Sequence, residues 1–487
     1  MDGRITMENY IQRQINQSPK KIERILERTK TENRHRYIFN EITEIIDNYI
    51  NGNISQRFLV LPGIRGTGKT TILHQTYEYL TKTKNIDPNR VFLINTELLT
   101  SYANLNLNSI IHFFIEEYHD GHIVLEEPVF ILVDETQYDK DWEKTAKLIY
   151  NENPDVFMIF TGSSALELEI SADSARRRDK IPVNPLNFQE YLELKYGLKT
   201  PHNIQKSLIE LILNGDEESI KKAQQLESKI YEKFQTLEKS IDKEWEHYLK
   251  YGGLPYEFDL EDYFAEARTI ELITRVIKAD IDPIHSTQYN SKLIAPHLLR
   301  IIASQRPGEL SQNKIRDTIN QSTHTKSGTG TISQILETFE KTRLLFHIEA
   351  YGGGSKSIRK PWQYYFIQPC IKHALWSSGG IDIHNKQQLL GILSENLVAS
   401  LLYRLNDRRK RFELYYPPGK GEADFILNTY NKLIPIEVGI GKKQLKQVKK
   451  TNQNYNCKYG ILISNRTKRI TKEEDVICIP LKTFSFI

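Results

Sequence analysis

One octapeptide limits what this chain can fold into more than any other feature. Gly63-Ile64-Arg65-Gly66-Thr67-Gly68-Lys69-Thr70 fits the pattern G-x-x-x-x-G-K-[ST]. The apolar run Phe58-Leu59-Val60-Leu61 precedes it, and an amphipathic stretch from Lys69 to Thr83 follows. A glycine turn by chance rarely has a strand before it and a helix after it. Glycines let the backbone aim several N–H groups at one phosphate, and the helix N-terminus adds partial positive charge at the same place. Gly63, Gly66, Thr67, Gly68, Lys69, Thr70 and Thr71 are therefore the expected nucleotide-binding residues. Lys69 is expected to reach the β- and γ-phosphates as a point charge, and the Thr70 hydroxyl to ligate Mg²⁺.

The segments around this motif alternate. Apolar strand patterns at 57–63, 90–98, 128–135 and 156–164 are interleaved with helical patterns at 69–83, 109–120 and 142–152. Near-continuous apolar strands separated by helices predict a parallel sheet covered on both faces, an α/β architecture. The strand Val129 to Val133 ends in Asp134-Glu135. Acids at the carboxyl end of such a strand face the phosphate crevice. Asp134 is the expected Mg²⁺ ligand and Glu135 the expected general base for an attacking water. The next strand ends in Thr161-Gly162-Ser163-Ser164, where Ser163 or Thr161 suits contact with a γ-phosphate or the lytic water. Arg176, Arg177 and Arg178 follow. Such a cluster suits neutralisation of transition-state charge, with Arg178 the chosen candidate, a nucleic-acid contact, or a plain surface patch.

Two helices are expected over residues 1–50, at 8–17 and 35–53. After Pro185 the pattern is mostly helical as far as Ala303, broken by the turn Tyr251-Gly252-Gly253-Leu254-Pro255. That turn reads equally as a helix–helix corner or as a nucleotide-proximal element. Residues 304–376 then read as helix, polar turn, helix and hairpin, the order of a winged helix-turn-helix, with Gly352-Gly353-Gly354 at the wing tip. From Gln387 the order is a helix, three strands, a helix and a strand.

With 487 residues, about three domains of ~150 residues each are expected. No apolar run approaches the ~18 residues of a membrane span, and three scattered cysteines form neither a disulfide framework nor a zinc site. The expectation is a cytoplasmic protein with no membrane partner. The net charge of +4 says little, but Lys432 to Lys472 holds eleven Lys/Arg against a single acid, Glu437. That run fits either a solvated helix face or a surface that contacts phosphates.

The succession GIRGTGKTT, FILVDE, FTGSS, RRR, IPVNPLNFQEYL and YGGLP resembles the archaeal-type AAA+ ATPases near the STAND and MNS branches, proteins with AAA_14 and DUF4143 domains. The resemblance extends over nearly the whole chain. It implies a P-loop NTPase core at 51–195, a helical lid at 196–303, a winged helix at 304–376 and a PD-(D/E)xK, restriction-endonuclease-like domain at 387–487. It further implies binding of ATP with Mg²⁺, slow hydrolysis and homo-oligomerisation. In that nuclease pattern Glu395, Asp424 and Glu437 take the metal-ligand positions. Glu422 is a further acid, expected on the same strand face as Asp424. The departure is Gly439, which stands where the pattern has lysine; Lys442 and Lys443 follow it closely. Loss of a cation beside the attacking water removes a transition-state contact worth a few kcal/mol, about 3.

Two functions follow. One is an ATPase whose nucleotide state positions a winged helix and a nuclease-like domain on DNA. The other is an ATP-gated, STAND-like switch that works by assembly, its nuclease-like domain catalytically degenerate. The second helix of the winged element, at 331–345, is light in Lys and Arg in its N-terminal half, which weakens base reading.

Overall fold

The structure is a computed structural model. It describes residues 2–29, 31, 33–53, 56–101, 105–119, 127–163, 179–278, 291–304, 311–324, 326–352, 360–379, 386–406, 410–439 and 444–487. The chain forms two compact units, Met1–Asn184 and Pro185–Ile487.

The first unit is built on five parallel strands: β1 (Phe58–Pro62), β2 (Val91–Asn95), β3 (Val129–Asp134), β4 (Val156–Gly162) and the short β5 (Asp179–Lys180), in spatial order β2-β3-β4-β1-β5. β4 thus lies between β1, which leads into the glycine loop, and β3, which ends in the acids. Alternate residues of each strand feed two separate cores. Phe58, Val60, Ile131 and Val133 join one cluster, while Leu59, Leu61, Phe130 and Leu132 join the other. Both faces are therefore covered, as strands without polar alternation require.

The N-terminal residues depart from the expected short helix. One helix runs Asp2–Glu27, through Pro19, and it places Tyr10 and Ile11 in one core and Ile22 and Leu26 in the other. A second helix, Tyr37–Ile50, buries Phe39, Ile42, Ile45, Ile46 and Tyr49, the stripe legible in the sequence. β2 stops at Asn95, earlier than its apolar pattern suggests, because a short helix, Thr96–Ser101, begins there and the Asn95 side chain accepts from the Leu98 N–H.

In the second unit, helices Phe188–Tyr196, Ile204–Asn214, Glu217–Phe234, Ile241–Lys250, Asp262–Val276 and Ser291–Ser304 come first. Two more, Gln312–Thr323 and Thr329–Lys341, lead into an antiparallel hairpin of β6 (Leu345–Ala350) and β7 (Gln363–Phe366). Gly352 lies just past β6 at φ +133°; Gly353 and Gly354 lie outside the described residues. The hairpin is not a separate element. It continues an eight-stranded sheet with β8 (Glu413–Tyr416), β9 (Phe425–Asn428), β10 (Leu433–Gly439), β11 (Gly460–Ser464), β12 (Thr471–Glu473) and β13 (Val476–Pro480), in order β12-β13-β11-β10-β9-β8-β6-β7. The join is parallel, with Glu349 opposite Tyr415 and Ala350 opposite Tyr416.

Helix Glu217–Phe234 packs on this sheet through Glu227, whose carboxylate accepts from the Ile470 N–H and the Thr483 hydroxyl. The turn Tyr251 to Pro255 is a braced corner of the same unit. Gly253 sits at φ +98°, where an added Cβ would lie 2.1 Å from the Gln368 amide nitrogen, and that nitrogen donates to Gly252 O at 3.2 Å. Arg404 holds Gln368 from the other side at 2.8 Å. No helix among the described residues is long and apolar enough to cross a membrane.

Candidate functional site

The loop between β1 and helix Lys69–Glu78 is shaped by its glycines. Gly66 (φ +83°) and Gly68 (φ +87°) occupy the left-handed region, which disfavours side chains. Gly63 is fixed by crowding: a Cβ there would lie 2.5 Å from Val183 O. Lys69 is only 5% exposed, and its ammonium folds back onto the loop, donating to Gly63 O at 2.8 Å and Ile64 O at 3.1 Å. Thr67 closes the turn onto Ile64 O at 2.9 Å. Thr70 and Thr71 lie in the first turn of the helix.

Asp134 is buried at the end of β3 and is fully engaged. One carboxylate oxygen accepts from the Thr70 hydroxyl at 2.8 Å and the other from the Thr161 hydroxyl at 2.5 Å. Three elements converge here because β4 lies between β1 and β3. A hydroxyl and a carboxylate in contact are the two protein groups that a Mg²⁺ ion accompanying a phosphate tail accepts, the ion keeping its remaining positions for phosphate and water. The residues therefore fit Mg²⁺-nucleotide.

Glu135 follows with φ +53°, a left-handed backbone that a non-glycine residue adopts at a cost of ~1–3 kcal/mol. Its carboxylate is held by the Gln137 amide, and the Arg65 guanidinium lies 3.7 Å away. Ser163 is 3% exposed; its hydroxyl has no hydrogen-bond partner among the described residues, while its N–H donates to Gln137 Oε1 at 3.0 Å. Arg176, Arg177 and Arg178 lie outside the described residues.

The motifs did not reveal the brace around this loop. Arg36, buried ahead of the second helix, donates to Thr67 O at 2.9 Å and to Asn184 O at 2.9 Å, pinning the loop to the end of the unit. Nothing in the local pattern marks Arg36. Gln137 is a similar omission, although its position two residues past the acid pair was a usable signal.

The second candidate site lies in the other unit. Glu395 is on helix Lys386–Leu405, Asp424 sits just before β9, and Glu437 is in β10. The fold brings them near one another. Asp424 accepts from the Val438 N–H at 2.7 Å, and Tyr365 donates to Glu395 at 3.1 Å. Burial, then the Glu395 charge, pushes the Asp424 carboxyl well above its ordinary range, and burial, then Asp424 and Glu395, does the same to Glu437. Glu437 and Asp424 are hydrogen-bonded to each other, and Glu437 Oε2 is buried with no partner among the described residues. Among the described residues, no three His, Cys, Asp or Glu side chains converge as a metal cage. Gly439 lies opposite Ser464 in register, and Lys442 and Lys443 lie outside the described residues.

Glu422 does not join this cluster. The expected alternation fails because residues 421–424 precede the strand. The Glu422 carboxylate instead accepts from the Gly419 N–H at 2.8 Å, Asn454 Nδ2 at 2.5 Å and the Tyr455 hydroxyl at 3.3 Å, latching a turn to helix Gln444–Tyr455.

A phosphate loop braced on a parallel sheet, with an extra strand between the loop and the acid pair, defines a P-loop NTPase-type enzyme. Residues 55–192 match the profile of an AAA domain, and residues 390–484 match a domain of unknown function, DUF4143. The uncharacterized protein MJ1637 of Methanocaldococcus jannaschii is 32% identical over 481 residues, which is 99% of this chain and 94% of that protein. MJ1544 of the same organism is 24% identical, covering 82% of this chain and 81% of its own length. The Walker-type ATPase PABY2304 of Pyrococcus abyssi overlaps 72% of this chain and 98% of its own, at 15% identity and a TM-score of 0.43. The chain belongs to the family of MJ1637, and its residues 55–192 carry an AAA domain.

Proposed function

We propose that the protein binds and hydrolyses ATP with Mg²⁺, and that its nucleotide state controls how the second unit engages its partner. The observation that carries this is the Asp134 carboxylate, which accepts from the hydroxyls of Thr70 and Thr161, with Lys69, the residue before Thr70, buried in the loop. The loop N–H groups and Lys69 bind the phosphate tail. Thr70 and Asp134 hold Mg²⁺, which when bound neutralises charge on the phosphate oxygens. Glu135 takes the proton of the attacking water, and the Ser163 hydroxyl offers a hydrogen bond to that water or to the terminal phosphate. The resemblance to AAA+ proteins supports ATP over other triphosphates and assigns an arginine of 176–178, Arg178 first, to transition-state charge. The test is Glu135→Gln: nucleotide affinity is retained and turnover falls ~10²–10⁴-fold. Hydrolysis at the wild-type rate refutes the role of Glu135.

For the second unit, the first reading is contact with DNA through the two helices and hairpin at 312–366 and the basic C-terminal region. The rival reading is a switch that assembles without nucleic acid, its nuclease-like domain degenerate. One observation favours the rival. Helix Thr329–Lys341 carries one basic residue, Lys341, and that residue is paired with Glu337 at 2.6 Å. Salt dependence separates the two. Duplex affinity that falls with salt supports the first, and a slope of zero in log K against log[salt] removes it. Cleavage of duplex or RNA that disappears in Asp424→Ala would overturn degeneracy, and cleavage that survives the change has another source.

A further inference from the structure

Gln137 is the feature of the nucleotide site that the reading above leaves without a role. It lies in the short turn Thr136–Tyr138, and its amide spans two elements. Oε1 accepts from the Ser163 N–H at 3.0 Å, and Nε2 donates to the Glu135 carboxylate. A main-chain N–H can only donate and a carboxylate can only accept. The amide is therefore fixed in one orientation, since rotating it by half a turn loses both bonds. Glu135 has little freedom besides this. Its backbone is in the left-handed region, and Arg65 of the glycine loop lies 3.7 Å from the same carboxylate. Arg65 in turn donates to the Tyr138 hydroxyl, on the other side of Gln137 in sequence.

We propose that Gln137 is a positioning residue for hydrolysis, setting the Glu135 carboxylate in register with the end of β4 where Ser163 sits. It acts through Glu135, to which its amide donates. The proposal rests on the assignment of Glu135 as general base. Geometry of this kind matters because a base displaced by about 1 Å loses of the order of 10²-fold in rate.

The test is a double-mutant cycle of Gln137→Ala and Glu135→Gln, read by single-turnover hydrolysis and by titration with a fluorescent ATP analogue. In the wild-type background Gln137→Ala should lower the hydrolysis rate ~10–100-fold and change nucleotide affinity by less than about threefold. In the Glu135→Gln background the same change should cost less than about twofold. Retained nucleotide binding shows that each variant is folded. Gln137→Glu keeps the acceptor for the Ser163 N–H but sets a like charge against Glu135, and it too should lose turnover and keep binding. Full turnover in Gln137→Ala overturns the proposal, as does an equal loss in both backgrounds. Wild-type turnover in Glu135→Gln is a different result, and it removes the base assignment itself.

Discussion

The nucleotide site and the acid cluster of the second unit both place carboxylates at the ends of strands, yet their electrostatics differ in kind. Asp134 has a hydroxyl on each oxygen, and Lys69 is buried in the loop against two carbonyls. Both charged groups have hydrogen-bond partners before any ligand is considered. Asp424 and Glu437 have each other, Glu395 and few donors, and burial with mutual repulsion pushes both carboxyls up. A site whose charged groups are each hydrogen-bonded to neutral partners can exchange those contacts for the phosphates and cation of a ligand. A site that repels itself has to gain a proton, gain a cation or change shape first.

Removing the central cation should break the first side of this contrast with the largest effect. In Lys69→Ala the loop loses its one ammonium, and affinity for a fluorescent ATP analogue with Mg²⁺ should fall at least ~100-fold, a charge-assisted contact of about 2.7 kcal/mol. An unchanged titration would end the reading of this loop as a phosphate site, and with it the proposed ATPase.

The second side is tested by Glu437→Gln, which removes a buried acid that lacks a donor on one oxygen. In chelator-treated buffer at neutral pH the variant should unfold at a higher temperature than the wild type, by about 1–2 kcal/mol of stability, because the folded wild type has to take up a proton at Glu437 that the unfolded chain gives up at this pH, and a glutamine of equal size avoids that cost. A loss of stability would mean that Glu437 is better satisfied than its neighbours suggest. If Mn²⁺ raised the melting temperature of the wild type and Asp424→Asn abolished the rise, the acids would be closing on a cation, and the two sites would be alike after all.

The same contrast explains what could be read from the sequence. The loop 63–70, the acids at 134–135 and the strand end at 161–163 are each local patterns, with spacing dictated by strand and helix geometry. Their surroundings are not local. Arg36 reaches Thr67 across 31 positions and Asn184 across 148, so no window of sequence contains either contact. The period-2 rule does not place Glu422, because it lies in a turn that precedes β9. β12 is three exposed residues, Thr471–Glu473, without an apolar pattern, and pairing with β13 makes it a strand. The union of the β6–β7 hairpin with the C-terminal sheet depends on two paired residues, Glu349 and Ala350, which nothing in their composition singles out.

A third arrangement lies between the two extremes and gives the smallest effect. His347 in β6 stacks on Trp362 with ring centroids 3.9 Å apart, and it meets Glu340 and, at 3.6 Å, Glu349. Burial alone would lower its pKa, but the two carboxylates outweigh burial and raise it above the ordinary 6.5. The acids here are met by a cation that can be titrated away. A raised histidine pKa means that the folded state binds the proton more tightly than the unfolded one. The stabilisation is complete below ~6.5 and is lost as pH rises through the higher folded value. The melting temperature of the wild type should therefore exceed that of His347→Gln by more at pH 5.5 than at pH 8.5, with a difference in stability below about 1 kcal/mol for a pair so near the surface. A gap that widened with pH would show that Glu340 and Glu349 are held apart from the ring. The hairpin would then resemble the acid cluster more than the phosphate loop.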